Sequence, residues 1–140
     1  MQTEHATTAM ARERDLPVPG CVVIIVDDDL AVRNSLKFAL EVEGFTVHSF
    51  ASGAEALNAI GISLCDCLIV DQKMPGMSGL DLIAKLRDRH DATPAILITS
   101  NPSLALREQA KKADVPIVEK PLLGNGLLEK IRHVVAGGPG

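Results

Sequence analysis

Apolar and polar positions along this chain fall into repeated blocks, each a short apolar run followed by a longer amphipathic stretch. "VVIIVD" (22–27) reads as a strand buried on both faces. A helix over about 30–43 follows, with Val32, Leu36, Ala39 and Leu40 on one stripe. Gly44 is its natural left-handed cap, and Phe45 packs back just beyond it. "TVHSF" (46–50) is a second strand, and "SGAE" (52–55) is a Ser-x-x-Glu capping box that opens helix two. "CLIVD" (67–71) is a third strand, and a second capping box, "SGLD" (78–81), starts helix three, which runs to about Arg87. "AILITS" (95–100) is strand four, with Asn101 as N-cap and Pro102 as first-turn proline of helix four. "PIVEK" (116–120) is strand five, and 125–136 form the closing helix.

Five strand–helix units in strict alternation predict an α/β fold, a doubly wound five-stranded parallel sheet with helices on both faces. Residues 1–20, polar and closed by "PVPG", read as a mobile N-terminal arm; 21–136 form the domain and 137–140 a C-terminal tail.

Composition narrows the function. The chain has 140 residues and three Phe with no Trp or Tyr, so Leu, Ile, Val and Ala must build the core. No apolar run approaches the roughly 20 residues that span a bilayer, and the start has no signal-peptide core, so a cytoplasmic location without membrane contact is expected. Net charge is -4 and no Lys/Arg cluster exceeds two residues, which argues against direct nucleic-acid binding. Three cysteines fit a reducing compartment. Cys65 and Cys67 lack a partner pair at metal-site spacing, so Cys67 reads as a small core hydrophobe and Cys65 as a loop residue.

The chemistry lies where the strands end. Strand one runs into Asp27, Asp28 and Asp29, strand three ends on Asp71, strand four on Thr99 and Ser100, strand five on Lys120. At about 4 Å and an effective dielectric near 20, each pair of like charges costs about 4 kcal/mol, so something positive is expected among these carboxylates. In a parallel sheet the strand ends share one edge, where ligands of such sheets bind. Carboxylates from two strands suit a hard divalent cation, and Mg²⁺ characteristically takes one or two of them with waters and phosphate oxygens. Three acids, a base and a hydroxyl together suit capture of a phosphoryl group on a carboxylate.

These residues lie in "IVDDD", "LIVDQKMPGMSGLDL", "LITS" and "EKP", and over about 21–136 the chain resembles the response-regulator receiver domains of two-component signalling. The 43-residue spacing from Asp28 to Asp71 suits that family, as does the recurrence of Asp, Met-Pro-Gly and Gly at fixed offsets. The resemblance implies a flavodoxin-like (βα)5 fold, with Asp71 as phosphoacceptor. It implies that Mg²⁺ is bound directly by Asp28 and Asp71, by Asp27 mainly through water, and by the main-chain carbonyl of Lys73. It implies that Lys120 holds a phosphoryl oxygen, that Thr99 hydrogen-bonds the phosphorylated form, and that the Lys120–Pro121 bond is cis. The partners implied are a histidine kinase or His-phosphotransfer protein and a downstream protein, with a homodimer through helices four and five left open. Partners are expected at the edge around Asp71 and along the exposed side of helix one, with Arg33 near the rim.

Other polar residues have plainer readings. Asp29 reads as the N-cap of helix one, Asp66 as a turn residue and Asp81 as the capping partner of Ser78. Met74 and Met77 read as packing residues, and the histidines at 5, 48, 90 and 133 as solvated. Two features depart from the family pattern. Ile117 stands where an aromatic is usual, three residues before Lys120, and the Thr99–Lys120 segment is about one residue short, without the usual small turn after helix four.

The leading expectation is a phosphoacceptor that catalyses only its own phosphorylation and dephosphorylation, acting as a single-domain regulator or as part of a longer one. One rival is a constitutive binding module in which Ile117 marks a lost switch. Another is an Asp-nucleophile hydrolase using Asp27-x-Asp29, disfavoured because no cap segment exists for substrate.

Overall fold

The computed structural model describes residues 21–59, 65–122 and 125–137. The expected N-terminal arm, His5 and residues 138–140 of the expected tail lie outside the described residues. Five strands, β1 (Val22–Val26), β2 (Thr46–Phe50), β3 (Cys67–Asp71), β4 (Ala95–Thr99) and β5 (Ile117–Glu119), alternate with five helices. The helices are α1 (Leu30–Val42), α2 (Gly53–Asn58), α3 (Gly79–Asp88), α4 (Leu104–Lys112) and α5 (Gly126–Val135). All strand pairs are parallel, in the order β2-β1-β3-β4-β5. This is the doubly wound sheet that the alternation predicts, with β1 and β3 at its centre.

Alternate residues of the central strands feed two apolar layers. Val23, Ile25, Ile69 and Ile98 pack with Leu36 and Leu40 of α1 and with Ile131 and Val134 of α5. Ile24, Val26, Val70 and Leu97 pack on the other face with Ala56 of α2, Leu82, Ile83 and Leu86 of α3, and Ala110 of α4. Each large side chain buried in this way stabilises the fold by about 1.5–3 kcal/mol. Cys67 is fully buried, as its reading as a core hydrophobe requires. Cys65 precedes the strand but is also buried, its thiol donating to the Cys67 carbonyl at 2.9 Å. Burial pushes the Cys65 thiol up to about 12, which leaves it protonated and unreactive.

The helix starts follow the sequence, with two corrections. The first is at α2: Ser52 caps it by accepting from Glu55 N–H, but the Glu55 carboxylate accepts from Ala51 N–H and not from Ser52 N–H, so the reciprocal half of the expected capping box does not form. Asp29 caps α1 by accepting from Ala31 and Val32 N–H groups, and Ser78 and Asp81 form a complete capping box on α3. Helix four is capped by Ser103, whose Oγ accepts from Leu106 N–H at 3.1 Å, not by Asn101. Asn101 sits at φ 49°, a left-handed conformation its side chain tolerates, whereas an N-cap needs extended backbone. Pro102 therefore precedes the cap. Ala39 also departs from its predicted stripe: it is exposed, lying about 100° round the helix from buried Leu40. Gly44 takes φ 101°, and Phe45 N–H bonds back to the Leu40 carbonyl, closing α1 as expected.

Candidate functional site

The carboxyl ends of β1, β3, β4 and β5 meet at one edge, as the parallel sheet dictates. The register places Val26 beside Val70, Asp71 beside Ile98, and Thr99 beside Glu119. Asp27, Asp71 and Thr99 are the buried polar or charged residues among those described, and all three are at this edge. The other buried side chains among the described residues are apolar. Burying charge is costly unless it is paired, so the concentration of buried polar groups here marks chemistry rather than packing.

Lys120 Nζ lies 3.1 Å from Asp71 Oδ1 and 3.4 Å from Asp27 Oδ2. The Lys120 N–H donates to the Thr99 carbonyl at 2.9 Å, and the Lys120–Pro121 bond is cis. Residues 93 apart in sequence are thereby joined in an ion pair. Ligand atoms of Asp27, Asp28 and Asp71 lie within 4.8 Å of one another, a convergence found for no other acidic, His or Cys group among the described residues. Asp27 Oδ1 accepts from the Asp29 N–H at 2.9 Å, which orients that carboxylate, while Asp28 is exposed at the mouth.

The electrostatics follow. Burial, then repulsion from Asp27, pushes the Asp71 carboxyl above the ordinary carboxylate range, while Lys120 opposes the shift. Burial alone would lower the Lys120 pKa, but its contacts with Asp71 and Asp27 outweigh this and hold it above the usual lysine value. Lys120 therefore carries a full charge at neutral pH. Three carboxylates whose ligand atoms lie within 4.8 Å of one another form a hard oxygen donor set that suits Mg²⁺ in its chemistry.

Thr99 is buried at the rim of a cleft of about 450 Å³, walled by Gln72 and Lys73 on one side and by Pro102 and Ser103 on the other. Its hydroxyl makes one long contact, 3.4 Å to the Ser100 carbonyl, and so is little committed. Lys73 follows β3 in the same connection as Gly76, which takes φ 82°. Gly79 packs so closely that a Cβ there would fall 2.7 Å from the Asp71 carbonyl oxygen. The two glycines of "MPGMSG" thus have separate jobs, one making the turn and one admitting helix α3 against the strand that carries Asp71.

The plainer readings also hold. Asp66 ties its loop to β1, accepting from the Val22 N–H at 2.8 Å. Met74 and Met77 pack against the second apolar layer, and His48, His90 and His133 are exposed. Two contacts went unread in sequence, one of them made by Arg33, which was expected only near the rim. The Arg33 guanidinium donates to the Asp27 carbonyl at 2.7 Å, pinning the acidic loop from α1, and the Gln72 amide oxygen accepts from Leu80 N–H at 3.0 Å, pinning α3 to the end of β3. A polar residue on a helix or in a loop carries no mark of the backbone group it will meet.

A doubly wound parallel sheet with a buried acidic pocket and a lysine at its carboxyl edge defines a receiver-type architecture. This chain belongs to the response regulator receiver domain family, whose model matches residues 23–132, and is such a domain of two-component systems. It is 36% identical over 119 residues to the response regulator protein TmoT of Ectopseudomonas mendocina, covering 84% of this chain and 54% of that protein. To the DNA-binding transcriptional regulator NtrC of Escherichia coli (strain K12) it is 40% identical over 83 residues, 59% of this chain and 18% of NtrC. The chain therefore spans about half the length of TmoT and a smaller part of NtrC. The crystal structure of FixJ-N superposes with TM-score 0.76 at 32% identity, covering 85% of this chain and 96% of that one. No helix among the described residues is long and apolar enough to cross a membrane.

Proposed function

We propose that this chain accepts a phosphoryl group on Asp71 from a histidine kinase or His-phosphotransfer protein, and that the modification changes its binding to a downstream protein. The supporting observation is the junction of Lys120 with both Asp71 and Asp27, at 3.1 and 3.4 Å, inside the one acidic cluster among the described residues. Asp28 and Asp71, the Lys73 carbonyl and, through water, Asp27 would hold Mg²⁺. Bound there, the ion supplies charge neutralisation to phosphoryl oxygens.

Transfer is a nucleophilic displacement. An Asp71 carboxylate oxygen attacks phosphorus, a new O–P bond forms, and the P–N bond of the donor phosphohistidine breaks with its electron pair leaving on the imidazole. Lys120 faces the oxygens on which charge accumulates. Hydrolysis reverses the modification when water attacks the same phosphorus and Asp71 departs as carboxylate. The Thr99 hydroxyl, little committed beforehand, donates to the phosphorylated form. The chain is thus a catalyst of its own modification only, with no separate substrate, and works in the cytoplasm.

The donor docks across the edge beside α1. A groove of about 520 Å³ there is lined by Val32, Ser35 and Leu36 of α1 and by Lys120, Pro121 and Leu122, so its end reaches the phosphoacceptor's own lysine. Incubation with a ³²P-labelled phosphohistidine donor tests the reading. Label should move to the chain with Mg²⁺ and stay on the donor when the metal is chelated. A chain that takes up no label under either condition is instead a phosphorylation-independent binding module.

A further inference from the structure

We infer that Arg33 is a positioning residue for the metal, holding the main chain of the acidic loop so that Asp28 faces Asp71. The inference rests on the reading above that these carboxylates hold Mg²⁺, and it names the residue that presets them.

Asp28 is the least secured member of the cluster. The Asp27 N–H donates to the Phe50 carbonyl at 3.1 Å, its Oδ1 accepts from the Asp29 N–H at 2.9 Å, and its Oδ2 faces Lys120 at 3.4 Å. Asp71 lies on β3, in register with Ile98, and meets Lys120 at 3.1 Å. The Asp28 carboxylate, in contrast, is exposed and makes no hydrogen bond or ion pair among the described residues. Its direction therefore depends on the main chain, above all on the peptide that joins it to Asp27. Arg33 holds the carbonyl of that peptide at 2.7 Å. Turning the peptide about its axis would break this bond and swing Asp28 away from Asp71.

Helix geometry puts Arg33 within reach. It is the fourth residue of α1, and side chains on a helix lean toward its N-terminus, here back over the turn that Asp29 caps. Its guanidinium forms no ion pair among the described residues. Seated on a carbonyl, it leaves the neighbouring carboxylate oxygens free for a cation.

Two other roles would give different signs. A guanidinium acting only as a charge repels Mg²⁺, so its removal tightens binding. One that only supports α1 leaves Mg²⁺ affinity unchanged when removed and lowers the melting temperature. Positioning alone predicts weaker binding, and a hydrogen bond from a charged donor corresponds to about a tenfold change in an equilibrium constant.

Isothermal titration of Mg²⁺ into the chelator-treated full chain tests the assignment. Arg33→Met keeps the apolar stem and removes the donors, and should raise the Kd about tenfold. Arg33→Lys, which keeps the charge and one donor group, should fall between that variant and wild type. With acetyl phosphate as donor, Arg33→Met should need about tenfold more Mg²⁺ for half-maximal labelling of Asp71 and should reach the wild-type rate at saturation. Arg33→Gln takes its place, with the same expectation, should Arg33→Met not fold. Unchanged or tighter Mg²⁺ binding by the folded variant overturns the inference. So does Arg33→Lys binding no better than Arg33→Met, or a labelling defect that saturating Mg²⁺ does not repair. Wild type that binds Mg²⁺ and takes up no phosphoryl group, with Arg33→Met still weakened, would uphold the positioning role and sink the phosphoacceptor reading. Labelling of both chains with one Mg²⁺ requirement would do the reverse, and a wild type that binds no Mg²⁺ would sink both.

Discussion

Asp71 is a carboxylate placed where a carboxylate is uncomfortable. Burial and Asp27 favour its neutral form and Lys120 favours its charged form, and the sum leaves its pKa raised. A carboxyl raised on folding adds stability below its unfolded value, near 3.8, and that contribution is lost as pH rises through the folded value. Urea unfolding across mildly acidic to neutral pH should therefore show wild type losing ground to Asp71→Asn as pH increases, and a pH-independent difference would refute the balance described here. Asp28 acts at the same scale. Mg²⁺ at about a hundredfold above its Kd should stabilise wild type by about 2.7 kcal/mol. Asp28→Ala should melt at or above the wild-type temperature in chelator and gain nothing from Mg²⁺; a preserved Mg²⁺ shift in thermal melts would show that Asp28 is not a ligand. Asp27, Asp28, Asp71 and Lys120 were legible because charge ends an otherwise apolar run only at a cost. The bond from Arg33 to the Asp27 carbonyl was not, since every residue carries such an acceptor.

At the scale of elements, strands and helix starts were readable and helix ends were less so. Gly44 announces its left-handed turn because glycine alone adopts it freely. Yet α3 and α4 close in the same manner on His90, at φ 60°, and Asp114, at φ 58°. In each the next residue's N–H bonds back across the turn, Asp91 to Leu86 and Val115 to Ala110. Asp114 thus does the work of the small turn that seemed missing after helix four, and the short Thr99–Lys120 segment still returns to the sheet. The misplacement of the helix-four cap has a similar origin, because Asn, Pro and Ser in succession offer two cap candidates and only backbone angles choose between them. At Gly79, helix α3 packs tightly on β3 and β4. Gly79→Ala would set a methyl 2.6 Å from Leu97 Cδ1 and 2.7 Å from the Asp71 carbonyl, so it should cost about 1–3 kcal/mol in urea unfolding. A variant as stable as wild type would mean that α3 shifts freely off the strand.

For the whole molecule, the order β2-β1-β3-β4-β5 brings the acidic loop, Asp71 and Lys120 to one edge, and α4, β5 and α5 to a face beside it. Thr99 and Glu119 are register partners on β4 and β5, and Glu119 holds Arg107 of α4, so the backbone at Thr99 and helix α4 are joined by a short path. None of this path was visible in sequence, since it depends on which side chains two strands bring level. The most direct test of the account is to treat the chain with acetyl phosphate and Mg²⁺ and to map the product by mass spectrometry. One phosphoryl group on Asp71, removed by hydroxylamine and absent from Asp71→Asn, is the result expected. Unmodified Asp71, or equal uptake by the Asn variant, would contradict it.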